Sequence, residues 1–416
     1  MSSEILDNGV FCVMPWTHFA VTPEGRVRPC SWEAVTHLKV DETSYNVLDH
    51  DISNHSVQPP INELKKNMLS GKKSEYCSRC YEQESLCGIS KRTVETFGFQ
   101  KEAAERIVTG EEAQIAQLEL RLGNMCNIGC MTCHPRSSNF FVREIDKNDA
   151  DIKIFEKKFQ KQYKDVYKKS FDWYQKDEFW QKIENLLPSL EYVYIAGGEP
   201  TIIKENWSFL ERLVELGYSK NIKLGISTNL TNVQPKHVEI YNKFKETNIY
   251  SSIDAYGNLN DYVRYPSKWS AISSNFEKLC RLADKDVVKF NVIPVVSILT
   301  VWKLDDLCDW VFEIKRQTNA NIDFNTHTLL KDPEYMSIFN LPDDAKQKAL
   351  KVVENMQKHF DKDSMQIQRI RDYLRNSVGN GNNEIFFQGR KYIENFDSIR
   401  NNSWKDYVPE LTEWWK

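Results

Sequence analysis

"AQLELRLGNMCNIGCMTCHP", residues 116–135, alternates apolar and polar side chains over its first seven residues, then places cysteines at 126, 130 and 133. A period of two marks a strand with one buried face. Three thiols within eight residues need a different explanation. Soft thiolate sulfurs suit iron–sulfur clusters and zinc. A tetrahedral zinc site pairs CxxC with a second ligand pair nearby, and His134, adjacent to Cys133, is badly placed to share its metal. A cubane held by three cysteines leaves one iron open to an outside ligand. The spacing therefore points to a cluster whose fourth partner is a small molecule.

Composition narrows the setting. The chain has 416 residues, 41% of them apolar and 12% aromatic, enough for a sizeable core and against disorder. A formal charge of −4 gives no electrostatic footprint for duplex nucleic acid, so nucleic acid is not an expected partner. The longest apolar run, "VIPVVSILTVW" (292–302), is too short to cross a bilayer and reads as a buried strand leading into a turn. The start, "MSSEILDNGV", lacks the basic and apolar regions of a signal peptide. These features predict a cytoplasmic protein, whose ten cysteines serve metal chemistry rather than disulfides.

Five further strand-like runs follow the first: 192–196, 222–228, 249–254, 289–297 and 321–327. Helical stretches such as 206–218 and 304–317 separate them. Strands alternating with amphipathic helices imply an α/β fold with a parallel sheet. Six units predict a partial (β/α)6 TIM-like barrel with ligands at the C-terminal strand ends. "AGGEP" (196–200) lies at such an end. Gly197 and Gly198 would let backbone approach a ligand closely, Glu199 would accept from an ammonium, and Pro200 would set the turn.

This order of motifs resembles the radical S-adenosylmethionine (SAM) superfamily. The resemblance implies that Cys126, Cys130 and Cys133 hold a [4Fe–4S] cluster whose fourth iron is chelated by SAM. One-electron reduction then yields a 5′-deoxyadenosyl radical that abstracts hydrogen from substrate. "GGEP" has the form of the family's SAM-amino motif. "SSIDAYGNLNDYVRY" (251–265) resembles the stretch of peptide-modifying members in which a strand-end Ser and an Arg twelve residues later meet SAM, here Ser252 and Arg264. Asn229, at the third strand's end, would reach ribose or substrate, with a plain turn as the alternative. Many members carry an aromatic residue before the third cysteine, against which adenine packs. This chain has Thr132 there, so adenine must pack elsewhere, with Ile298 a candidate.

A second cysteine set precedes the first. "CVMPWTHFAVTPEGRVRPC" (12–30) reads as a hairpin that brings Cys30 back towards Cys12, and "YCSRCYE" adds Cys77 and Cys80. Together they make a four-thiolate site. The pattern resembles the auxiliary-cluster module called SPASM or its shorter form, twitch, here N-terminal to the barrel instead of C-terminal. It implies one auxiliary iron–sulfur cluster, expected to be [4Fe–4S], with a structural zinc as the alternative. Cys87 is left outside it, and Cys280 and Cys308 read as core.

The expected domains are an auxiliary module at 1–110, the barrel at 111–330 with a helical insertion at 141–187, and a helical C-terminal region at 331–416. Phe155, Phe159, Tyr163, Tyr167 and Phe171 recur every four residues, predicting an aromatic helix face packed on the barrel. The tail, 395–415, resembles the endings of twitch-type members without an assigned chemistry, its Trp404, Trp414 and Trp415 serving as anchors. The reading is an oxidoreductase or epimerase acting on a sugar or nucleotide-linked sugar, with a ribosomal peptide or protein side chain as the alternative substrate. No peptide-leader domain is apparent. A reductase or flavodoxin-type donor would be its electron source. From a different class comes a non-catalytic metal-binding interaction protein.

Overall fold

A computed structural model describes residues 2–31, 38–40, 43–52, 55–148, 151–167 and 171–415. The side chain of Cys87 lies outside the described set. The fold is α/β with a mostly parallel central sheet.

Its strands are β1 (His18–Val21), β2 (Val27–Arg28), a separate short ladder of β3 (Lys39–Val40) and β4 (Thr43–Ser44), then β5 (Gln117–Arg121), β6 (Tyr192–Ala196), β7 (Lys223–Thr228), β8 (Glu246–Ser251), β9 (Val288–Val292) and β10 (Asn321–Phe324). The central strands hydrogen-bond in the order β2-β1-β5-β6-β7-β8-β9-β10, open at both ends as a partial barrel requires. Each of the six expected barrel strands forms, within a few residues of its sequence run. The run 292–302 is shorter as a strand than expected: β9 stops at Val292, and only an isolated bridge from Val296 to Leu329 continues it.

The hairpin at 12–30 also forms, with Ala20 opposite Arg28, and Gly25 closes its turn at φ +81°. Its placement is new. β1 pairs in parallel with β5, Phe19 opposite Leu118 and Val21 opposite Leu120, so the hairpin extends the barrel sheet. The pairing has a simple cause: β1 is buried along its whole length, and a strand buried on both faces belongs inside a sheet.

The chain divides into two compact units. The first comprises Met1–Gly123, Phe171–Gly197 and Lys204–Leu224. Phe11, Val13 and Met14 pack there with Leu64 and Met68 of the helix Pro59–Leu69 and Ile107 of the helix Lys101–Val108. Each such side chain contributes about 1.5–3 kcal/mol of burial, so the segment carrying Cys12 has a core of its own.

The second comprises Asn124–Ser170, Gly198–Ile203 and Gly225–Lys416. The aromatic stripe lies only partly on a helix, Lys157–Val166, which holds Phe159 and Tyr163. It packs against the tail rather than the barrel strands: Phe155 and Phe159 stack at 4.5 Å, and Phe155 lies 5.0 Å from Phe396. Trp404 and Trp415 are buried and meet edge-on at 5.0 Å, while Trp414 stacks on Trp302, anchoring the tail as expected. Cys280 and Cys308 are core residues. Among the described residues no helix is long and apolar enough to cross a membrane.

Candidate cluster and SAM site

After β5 the chain runs without regular structure until the helix Phe140–Lys147. Backbone bonds hold this loop in place. Gly129 and Met131 donate to Tyr265 O and Val263 O at 2.7 and 2.8 Å, flanking Cys130 on both sides. Cys126 N donates to Asn139 Oδ1 at 3.2 Å, and Arg143 Nη2 donates to Cys126 O at 2.6 Å. Cys126, Ile128 and Cys130 are buried together with Cys133 packed against them. The three thiols are therefore gathered on one fixed loop.

Burial pushes all three thiols up: Cys126 above its ordinary value, Cys130 to about 12, and Cys133 further, with Cys130 and Cys126 adding to the effect. The opposing influences are those of cluster ligands. Backbone hydrogen bonding with Ile128 lowers Cys126 and with His134 lowers Cys133, and Arg264 lowers Cys130. Donors aimed at sulfur favour thiolate and tune a cluster once it is bound.

The glycine pair lies against the protein's own backbone and side chains. Gly198 sits at φ +54°, where an added Cβ would lie 2.0 Å from Met125 O. The next residue completes the contact, Glu199 N donating to Met125 O at 2.8 Å. Gly198 thus admits the backbone of the cysteine loop. Gly197, in the first unit, is tight against Arg121, whose Cβ would be 2.8 Å from a Gly197 Cβ. Pro200 opens the short helical turn Pro200–Ile202.

Glu199 is buried at 1% exposure, and its carboxylate is mostly engaged. Oε1 accepts from Thr201 N, Thr201 Oγ1 and Thr228 Oγ1, and Oε2 accepts from Asn229 N at 2.6 Å. Burial raises its pKa while these donors pull it down. Two lone pairs per oxygen leave Oε2 one further acceptor position. Asn229 is the turn residue of the alternative reading: its Oδ1 accepts from Thr231 N and its Nδ2 donates to Asn127 at 2.9 Å. Ser252 is half-buried, its N–H donating to Thr228 O at 2.9 Å.

Arg264 is buried and donates from Nη1 to Asp254 Oδ2 at 2.7 Å. Burial works against its charge, but Cys130 and Asp254 hold it firmly protonated. Asp254 in turn accepts from Val295 N at 2.9 Å. Sequence reasoning missed this partner, although Asp254 stands two residues after Ser252. Arg264→Met strands the Asp254 charge, and an uncompensated buried charge costs about 3–5 kcal/mol. Denaturant unfolding should show a loss of that size, and a loss under about 1 kcal/mol would mean the pair is hydrated. Ile298 is fully buried and gives its Cδ1 to Gly389 of the tail helix, so it offers adenine no free face.

The second cysteine set lies in the first unit. Cys12, Cys30, Cys77 and Cys80 line one cavity together with Tyr76 and Arg92. Burial raises Cys12, the other three thiols adding to it, and Cys77 is pushed up to about 12. Hydrogen bonding with the Met14 backbone lowers Cys12, and with the Arg92 backbone and the Ser90 side chain lowers Cys80. Among the described residues the buried hydroxyls of Tyr76 and Tyr81 find no oxygen or nitrogen acceptor. Their polar neighbours are Cys30 and Cys77. Four converging thiols with donors aimed at sulfur fit a sulfur-ligated metal group. Among the described residues no set of three or more His, Cys, Asp or Glu closes on a single metal ion.

Residues 120–311 match the Radical SAM superfamily. That stretch is similar to radical SAM domains. The family implies a [4Fe–4S] cluster and SAM, and the thiol loop with its sulfur-directed donors fits that pair. Among solved structures, the chain is similar to Streptococcus suis SuiB bound to S-adenosylmethionine, at 12% identity over 72% of this chain and 60% of that one, with a TM-score of 0.35. SuiB bound to the precursor peptide SuiA gives 13%, 72%, 60% and 0.35. Native anSMEcpe with bound AdoMet gives 17%, 59%, 62% and 0.36. The chain thus spans about three-fifths of the length of these structures. No curated protein matches it.

Proposed function

We propose that the protein is a radical SAM enzyme with one auxiliary iron–sulfur cluster on Cys12, Cys30, Cys77 and Cys80, acting on a sugar or nucleotide-linked sugar by oxidation or epimerisation. The observation that carries the reading is the gathering of Cys126, Cys130 and Cys133 beside Arg264 on a loop fixed by backbone bonds. When bound, the clusters and SAM supply one-electron chemistry: cleavage to the 5′-deoxyadenosyl radical, and an acceptor or donor for the substrate radical's electron.

The chain's own residues bind and orient. Arg264 commits one of its five N–H donors to Asp254, which leaves others for the SAM carboxylate. The remaining lone pair of Glu199 Oε2 suits the SAM ammonium. Ser252 continues a half-buried face made by Asn248 and Tyr250 of β8, opposite Lys289 and Asn291 of β9. Hydrogen-bonding side chains at alternate strand positions suit a hydroxyl-rich substrate, and this face supports the sugar reading. A reductase or flavodoxin-type donor is the partner this chemistry needs.

The test is anaerobic reconstitution of the full chain. Two cubanes give about eight irons per chain, and reduction with SAM gives 5′-deoxyadenosine. A panel of deuterated sugars, nucleotide sugars and peptides then identifies the substrate by label transfer into the deoxyadenosine. Label from a peptide alone would replace the sugar reading. Zinc in both sites with no deoxyadenosine would leave a non-catalytic metal-binding protein.

A further inference from the structure

The tail helix Asn383–Arg400 places Tyr392, Phe396 and Arg400 four residues apart on one face. That face meets the cysteine loop. Tyr392 donates its hydroxyl to Met131 O at 3.0 Å, and Arg400 Nη2 donates to Gly129 O at 2.8 Å. These carbonyls belong to the residues on either side of Cys130. Arg400 Nε and Nη2 also bind Glu144 Oε1 and Oε2 at 2.9 and 3.0 Å, and both side chains are nearly fully buried. The guanidinium carbon lies 4.7 Å from the centre of the Tyr265 ring and 4.5 Å from that of Phe396. Gly129 has no side chain for a local reason: a Cβ there would come within 3.1 Å of Arg400 Nη2 and 2.7 Å of Phe140.

One feature of this arrangement goes beyond bracing. Arg400 Nη1 is buried without a hydrogen-bond partner among the described residues. Burying a charged donor unpaired is costly, and nothing in the clamp onto Gly129 and Glu144 requires it. The carbonyl that Arg400 holds belongs to Gly129, the residue directly before Cys130.

We propose that Arg400 is a positioning residue for the cluster held by Cys126, Cys130 and Cys133, its Nη1–H directed at a cluster sulfur and its charge, partly offset by Glu144, setting the reduction potential. The inference rests on the reading that these cysteines hold a [4Fe–4S] cluster. Hydrogen bonds to sulfur and local charge are the protein's levers on such a potential.

The test is an EPR-monitored redox titration of the reconstituted full chain, without substrate. Reduction adds an electron, which a nearby cation and donor favour. Arg400→Met therefore shifts the potential negative. Glu144→Gln leaves Arg400 in place with its charge unmasked and shifts it positive. Shifts of opposite sign support the proposal. A tail that only braces the loop predicts less iron in Arg400→Met, with any retained cluster at the wild-type potential and no shift in Glu144→Gln; that result overturns it. Should Arg400→Met fail to fold, an unshifted Glu144→Gln overturns it alone. A wild-type chain without a SAM-responsive cluster at the three cysteines sinks the underlying reading instead.

Discussion

Alanine at Cys126, Cys130 or Cys133 is expected to remove about four irons per chain and all SAM-dependent 5′-deoxyadenosine, while about four irons remain at the other site. The size of the effect follows from the ligand count. Three thiolates are the minimum that holds a cubane with one corner open, so losing any one of them breaks the set. His134 follows Cys133 directly, but its ring Nε2 faces Ser137 Oγ at 3.5 Å. The loop itself should survive the change, because its anchors are backbone bonds to Tyr265, Val263 and Glu199 rather than the thiols. Iron analysis beside deoxyadenosine assays checks this, and retained turnover in any of the three variants would sink the assignment.

The second large effect is expected at Gly198. Alanine there meets Met125 O at 2.0 Å, Met125 C at 2.7 Å and Met125 N at 3.0 Å, with φ at +54°. All three are backbone atoms, so no rotamer change relieves the clash. Either the strand-end turn or the cysteine loop must move, breaking the bond from Glu199 N to Met125 O. We expect a stability loss of about 3 kcal/mol or more, together with loss of the cluster. Gly257 supplies the control: it has φ +66° but nothing within 4 Å of an added Cβ. Gly257→Ala should lose only the backbone-strain part, roughly 1 kcal/mol, and keep its iron. Equal losses in the two variants would show that strain, not contact with the loop, explains Gly198.

The strands, the hairpin turn and the cysteine triplet at 126–133 were legible in the sequence because each is written in local spacing. Alternation places β5, Gly25 closes its turn, and CxxxCxxC puts three thiols on one loop whatever surrounds them. The roles within the SAM site were less legible. "GGEP" was read as ligand-facing, yet its second glycine answers to Met125, and Glu199 spends most of its acceptors on Thr201, Thr228 and Asn229. Apart from the local bond to Thr201, those contacts join segments about 30 to 70 residues apart in the chain, and nothing in the local pattern encodes them.

What the sequence by itself determined is the chemistry on offer: three thiols too few to close a site, four more that can, and a parallel α/β scaffold to carry them. Only the tertiary structure decided that β1 joins the sheet beside β5, that Arg264 is shared with Asp254, and that Arg400 reaches back to Gly129 from the far end of the chain. The physical reason is the same in each case. Periodicity and spacing report which face of an element is buried, whereas the partner that buries it is chosen by packing and hydrogen-bond satisfaction between segments that sequence distance does not relate.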